Sequence, residues 1–467
     1  MTQYSTRGRS KSGIDWILFL SYFALVSIGL LMIYTTTYND YKQVGMWSLS
    51  SPVGTQFLWA ILSLLFLVFL SIMDWHVWNS LSLPLYLLSI VILLLLLFIG
   101  KEIKGAQSWI SIGSYTLQPS EFAKVGTAIF CASLLSSVQV KLSRLKSQVL
   151  MVLVFLLPAA LIVLQPDPGS ALTFASLMIV YYRFGMPQIY YLSLILVFLT
   201  IVFSLTQGFL VVATVLFLLG GVLLTKFSRK EPIPVMLLIS LVLINILCFQ
   251  FDVVHFALGA NFIYFVSHLF WLGQPEKIAS PGSFIGGLAL LCLISFSSSF
   301  AFENVLKPHQ QDRINVWLQP EKCDPRGSLY NLLQSKLAIG SGGLTGKGYL
   351  NGNLTKLNYV PEQTTDFIFS SVGEEQGFLG GIGVIALFTI MVLRLIRIGE
   401  NSKYSYVKAY CYAIAGFIFF HFFVNIGMTM GISPVIGIPL PFISKGGSAL
   451  LSFSIMIGIA LNMSKER

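Results

Sequence analysis

Apolar residues in this chain do not alternate with polar ones but run on unbroken. VILLLLLFIG (91–100), VLVFLLPAALIVL (152–164) and VVATVLFLLGGVLL (211–224) are continuous apolar stretches. A bilayer core about 30 Å thick takes about 20 apolar residues of helix, whereas barrel strands alternate apolar and polar over about 10 residues. Backbone groups in lipid must be satisfied within the segment, so unbroken runs predict helices. The pattern predicts an all-α polytopic integral membrane protein. Its spans fall at 15–34, 55–72, 80–99, 119–137, 148–165, 170–187, 189–206, 208–225, 232–250, 253–272, 284–304, 366–396, 404–426 and 447–463, about fourteen in all. The 253–272 segment, with Asp252 and His255 at its edge and Asn261 within, also reads as re-entrant or interfacial.

Composition agrees. Of 467 residues, 55% are hydrophobic and 10% charged, against about 25% charged in soluble domains. Residues 1–14 are polar and basic, and no small-residue cleavage site follows the first apolar run, so that run reads as a retained helix. The formal charge of +10 comes without a basic block or a recognition motif, so no nucleic-acid partner is expected. Lys and Arg instead cluster between spans: Arg7, Arg9 and Lys11; Lys141, Arg144 and Lys146; Lys226, Arg229 and Lys230; Arg394, Arg397 and Lys403; Lys465 and Arg467. An even number of crossings separates each cluster from the next, so the positive-inside rule puts both termini in the cytoplasm.

Residues 305–365 then form one large extracytoplasmic loop. It carries Lys307, Arg313, Lys322, Arg326, Lys336, Lys347 and Lys356, and long loops translocate largely regardless of charge. Its apolar patch LYNLLQSKLAIG (329–340) predicts short helices and turns packed on the membrane face. Cys131, Cys248, Cys292, Cys323 and Cys411 form no CxxC pair and read as small hydrophobes.

Several segments carry candidate chemistry. In QPSEFAK (118–124), Pro119 suits a first helical position. Glu121 and Lys124, three apart, share a face and can pair; charge at membrane depth marks function or anchors a boundary. Trp109, upstream in an outer loop, suits an interfacial anchor. In QPDPG (165–169), Asp167 either accepts hydrogen bonds from the broken backbone, pairs with Lys124, or is a turn residue. Asp324, in EKCDPRG (321–327), is a turn-capping residue or a general base. Transfer of a sugar from an activated lipid carrier needs a carboxylate to take the acceptor's proton. It also needs cations for the departing diphosphate, and Arg313, Lys322, Arg326, Lys336 and Lys347 lie in the same loop. PEQTTDFIF (361–369) brings Glu362 and Asp366. Glu374 and Glu375 follow about two turns inside a helix, where carboxylates need cations, water or protonation. PLPFISKGGS (439–448) is a rigid lead-in to the final helix. The chain has no GxxxxGK[ST], HExxH or GxSxG motif, so ATP-driven pumping and the familiar hydrolase sites are unsupported.

Six stretches together resemble the SEDS family (shape, elongation, division and sporulation), most closely its RodA-type elongation branch. They are WISIGSYTLQPSEFAK (109–124), LQPDPGSAL (164–172), DRINVWLQPEKCDPRG (312–327), LLQSKLAIGSGGLTGKGYLNG (332–352), PEQTTDFIFSSVGEEQGFLG (361–380) and GIPLPFISKGGSAL (437–450). The resemblance implies one SEDS membrane domain over 1–467. Its core would be about ten helices, with about four more inserted at 188–283. Pro168, Lys445 and Ser108 depart from the family's usual residues.

The function implied is an inverting peptidoglycan glycosyltransferase in the bacterial cytoplasmic (inner) membrane. It would polymerise lipid II, a disaccharide-pentapeptide on undecaprenyl diphosphate, during cell-wall elongation and cell-shape maintenance. A class B penicillin-binding protein would be its partner. The family's proposed catalytic carboxylate falls on Asp324, its sensitive tryptophan on Trp109, and its cavity-lining acid and base on Glu121 and Lys124. Asp167, Arg313, Lys336, Lys347, Glu362 and Asp366 complete the expected substrate-binding set. No cofactor is implied beyond a divalent cation such as magnesium at the leaving diphosphate. The rival readings are a lipid II flippase and a non-enzymatic scaffold for a penicillin-binding protein.

Overall fold

The computed structural model describes residues 13–41, 48, 51–103, 105–113, 115–137, 139–227, 232–250, 253–270 and 281–466. Arg7, Arg9, Lys11, Arg229, Lys230, Asp252 and Arg467 lie outside the described residues. The described chain is nearly all helical. Eight helices are long and apolar enough to cross a membrane, and four shorter apolar helices accompany them, at Phe209–Leu223, Met236–Gln250, Val254–Ser267 and Gly447–Met463.

The remaining two expected spans are built differently. Pro119–Ser136 is a helix, but its polar residues keep it below the hydropathy of a simple span. The 170–187 span is a helical run broken in the middle: Pro168–Thr173, a tight 3-10 turn at Phe174–Leu177, then Met178–Arg183.

The chain divides into two compact units, residues 1–187 with 324–467, and residues 188–323. In the first unit the centre is the Ser405–Met430 helix, with 78% of its apolar window buried, where the other long spans reach at most 39%. Pro119–Ser136 and Gly447–Met463 pack on it. Asp15, itself buried, caps the first helix through the Leu18 amide and pairs with Arg394 (Nη2–Oδ2 2.6 Å), tying that end to Ile368–Asn401.

Among the described residues, the strands form one three-stranded antiparallel sheet, Lys101–Ile103, Ala106–Ile112 and Tyr115–Leu117. Trp109 therefore sits on a strand opposite Lys101, not in a loop. Ile110-Ser111-Ile112 and Tyr115-Thr116-Leu117 each alternate with period 2, the strand signature, in a segment too short and polar to span.

In the second unit, Val254–Phe270 is a regular helix. Asn261 is buried and exchanges hydrogen bonds with Asn245 (2.8 and 2.9 Å) and donates to the Thr214 carbonyl. In lipid such amides join helices, so Asn261 here is an interhelical contact. The expected insert 188–283 lies inside this unit, which runs on to residue 323. The loop 305–365 forms short helices and turns, including Pro308–Leu318, Tyr330–Ser341 and Asn353–Lys356.

Candidate functional site

The first unit holds a buried ion pair at the start of the Pro119–Ser136 helix. Pro119 starts its helix at the first position and places Glu121 in the first turn, where the helix dipole favours an anion. Lys124 Nζ lies 2.8 Å from Glu121 Oε1, with side-chain exposures of 0% and 2%. Charges this deep persist only when paired and hydrogen-bonded. The second partner of the ammonium is His421 Nε2 at 2.9 Å, and the Phe453 ring centroid lies 5.1 Å away. His421 Nδ1 is 3.2 Å from the Pro439 carbonyl. A carbonyl can only accept, so Nδ1 carries the proton and Nε2 offers its lone pair to Lys124.

A second layer leads away from this pair. The Gln118 amide donates to Ser448 Oγ (3.0 Å), and its side chain donates to Asp167 Oδ2 (2.9 Å). Asp167 also accepts from the Ser170 amide and hydroxyl. It caps the Pro168–Thr173 helix and, among the described residues, forms no ion pair with Lys124. The two loops at 360–367 and 437–446 are sewn together. Lys445 N donates to the Thr364 carbonyl, and Ser444 Oγ to the Thr365 carbonyl (2.6 Å). Asn425 donates to the carbonyls of both Asp366 and Ile438. Glu362 accepts from the Thr365 hydroxyl at 2.9 Å.

The glycine-rich segment 340–348 has a structural reason. Ile368–Asn401 kinks at Gly377 (φ 65°, ψ −163°), a region open essentially to glycine alone. The kink frees backbone groups that the loop pairs: Lys347 N with the Glu374 carbonyl, Gly348 N with that of Glu375, and Phe378 N with that of Gly343. A Cβ on Gly342 or Gly346 would collide with the carbonyls of Gly373 and Glu375. Lys347 Nζ then reaches Glu374 Oε1 at 2.7 Å, and the amides of Leu354 and Thr355 and the Thr355 hydroxyl complete the carboxylate's shell. The cation that Glu374 required is thus Lys347.

Asp324 is different in every respect. It is exposed. Its Oδ1 accepts from the Arg326 amide at 3.0 Å, and its carbonyl accepts from the Gly327 amide. Oδ2 makes no hydrogen bond among the described residues. Within the same unit, and among the described residues, no ion pair joins Asp324 to Arg326, Lys336 or Lys347. Lys336 is exposed on Tyr330–Ser341 and approaches Gly431, while Arg313 is exposed on the second unit's Pro308–Leu318 helix.

Of the expected residues, Glu121 and Lys124 form the buried pair, Asp167 bonds Gln118 just before their helix, Asp366 and Glu362 lie in a loop sewn to the 437–446 lead-in, and Lys347 holds the kink. Trp109 is half-buried on the sheet. A cavity of about 670 Å³ lies within the second unit beside Phe209, His255 and Phe300; Lys322 lines it, but Arg313 does not. Sequence reasoning missed His421. The signal was available, because His421, Asn425 and Thr429 recur every fourth residue on an apolar helix, placing three polar side chains on one face.

Comparison with known proteins converges. A family model described as a cell cycle protein, covering FtsW, RodA and SpoVE, matches residues 15–217 and 211–467. The peptidoglycan glycosyltransferase RodA of Treponema pallidum (strain Nichols) is 32% identical over 463 residues, covering 99% of this chain and 100% of that protein. Peptidoglycan glycosyltransferase MrdB of Escherichia coli (strain K12) is 26% identical over 457 residues, 98% of this chain and 95% of its own. Among solved structures, a chain described under "Structural coordination of polymerization and crosslinking by a peptidoglycan synthase complex" matches with TM-score 0.63 at 21% identity, covering 97% of each chain. The rod shape determining protein RodA of Thermus thermophilus matches with TM-score 0.52 at 21% identity, covering 97% of each chain.

Proposed function

Because the chain belongs to the FtsW, RodA and SpoVE family, we propose that Asp324 is the general base of its reaction. The protein is a polytopic inner-membrane peptidoglycan glycosyltransferase of the RodA type. The donor in this reading is lipid II. The acceptor 4-hydroxyl gives its proton to Asp324, and its oxygen attacks the anomeric carbon of the donor. The bond from that carbon to the diphosphate breaks on the opposite face, inverting the centre, and undecaprenyl diphosphate leaves.

The observation that carries this is the state of the carboxylate. The Arg326 amide fixes Oδ1 and so orients the group, while Oδ2 remains uncommitted and exposed. A general base must meet the proton it takes at about 2.6–3.2 Å, which an exposed turn permits and a buried ion pair does not.

Arg326 and Lys336, in the same unit, are the nearest cations in sequence for the leaving diphosphate. A divalent cation such as magnesium would be held chiefly by the diphosphate's own oxygens, because among the described residues no three His, Cys, Asp or Glu side chains converge as a metal-holding group. The spacing of Lys and Arg clusters supports cytoplasmic termini and an extracytoplasmic Asp324. The likeness to a chain of a peptidoglycan synthase complex supports a class B penicillin-binding protein as partner.

The test is glycan polymerisation from labelled lipid II by the purified protein, with and without such a partner. Wild type should make polymer and Asp324→Asn should not. Polymer from the variant at the wild-type rate would remove Asp324 from the chemistry.

A further inference from the structure

Among the groups that the proposed reaction leaves unused, His421 is the one that the geometry commits most fully. It is 1% exposed, and each ring nitrogen has one partner: Nε2 faces the Lys124 ammonium at 2.9 Å, and Nδ1 faces the Pro439 carbonyl at 3.2 Å. The Phe453 ring meets the imidazole edge to face, with centroids 5.1 Å apart, and the same ring lies under Lys124. The groups facing His421 therefore come from three elements: Lys124 on Pro119–Ser136, Phe453 on Gly447–Met463, and the lead-in carrying Pro439.

We propose that His421 is a positioning residue for glycan synthesis, which holds the Lys124 ammonium against Glu121 while tying it to the Pro439–Phe442 turn. The argument is one of tautomer. A neutral imidazole can present its lone pair at either nitrogen, and what the other nitrogen donates to decides which. The Pro439 carbonyl claims the Nδ1 proton, so the lone pair must face Lys124. The ammonium is then held by two acceptors of opposite origin, a carboxylate one turn before it and an imidazole from another helix.

The turn so tethered is itself strained. Phe442 adopts φ 67° while 2% exposed, and a buried non-glycine residue there persists only where its surroundings over-determine it. Ser444 Oγ, accepting from the Leu440 amide at 2.8 Å, supplies part of that constraint. The turn is also bonded to the 360–367 loop through Ser444 and Lys445. His421 thus links the buried Lys124 charge to the 437–446 lead-in and the 360–367 loop bonded to it. The inference rests on the glycosyltransferase reading.

Three variants separate the two halves of the ring. His421→Gln places an amide oxygen where Nε2 stood and can still accept from Lys124. His421→Asn keeps a donor toward Pro439 but falls short of Lys124, and His421→Leu keeps neither bond. Each is assayed for melting temperature in detergent and for kcat and KM with labelled lipid II. His421→Leu and His421→Asn should lower kcat at least tenfold with KM changed less than threefold, and His421→Gln should recover most of that loss.

A His421→Gln variant no better than His421→Leu overturns the proposal, as does wild-type kcat in His421→Asn and His421→Leu. Loss of monodisperse protein in all three would assign His421 to folding alone and overturn it as well. Polymer from wild type and its loss in Asp324→Asn test the proposed function separately, so failure of that reading is distinguishable from failure of this one.

Discussion

Glu121 and Asp324 are both carboxylates in motif segments, and the fold treats them oppositely. Glu121 is buried and bound to Lys124, which is bound in turn to His421. Asp324 is exposed, held at one oxygen by the Arg326 amide and, among the described residues, unbonded at the other. A carboxylate whose ion pair is closed inside the bundle cannot exchange a proton with a substrate unless the pair opens. One with an uncommitted oxygen in an exposed turn can. Under the proposed function the contrast divides labour: chemistry would fall to the turn, and the buried pair would hold the segments that surround it.

The sharpest way to break this division is Asp324→Asn. It keeps the turn, because an amide oxygen still accepts from Arg326, and removes the base. The expected loss in kcat is about 10²- to 10⁴-fold, with an unchanged melting temperature. Next comes Lys124→Met, which leaves Glu121 buried without a cation. Breaking one side of a buried pair costs about 3–5 kcal/mol, so a lower unfolding temperature should accompany lost activity. Wild-type stability in that variant would refute the structural role.

A smaller effect is expected from Gly377→Ala. It forces a Cβ into the glycine-only backbone region and against the Gly346 amide, costing about 1–3 kcal/mol, which denaturation in mild detergent would detect. The smallest should come from Arg183→Ala. Arg183 pairs with Glu400 at 2.7 Å, but with 44% of its side chain exposed, so about 0.2–1 kcal/mol is at stake and polymerisation should be unaffected.

Much of this was legible in the chain before its fold. The unbroken apolar runs predicted the spans, and the i,i+3 spacing predicted the Glu121–Lys124 pair. What escaped had non-local causes. His421 shares a polar face with Asn425 and Thr429, but its partner is 297 positions away. Trp109 was read as a loop residue because three short strands leave too few alternations to outweigh the surrounding helical signal. Asn261 looked like a flaw in a span until Asn245 and the Thr214 carbonyl supplied its partners. The glycines of 340–348 gave no sign in the sequence of their cause, a kinked helix some thirty residues downstream that the loop must approach backbone to backbone.

The most direct test of the division between turn and buried pair is one experiment on two variants, Asp324→Asn and Lys124→Met, each measured for polymerisation of labelled lipid II and for melting temperature in the same detergent. The account predicts that Asp324→Asn loses activity at wild-type stability, whereas Lys124→Met loses both. An Asp324→Asn protein that polymerises normally, or a Lys124→Met protein that melts like wild type, would contradict it.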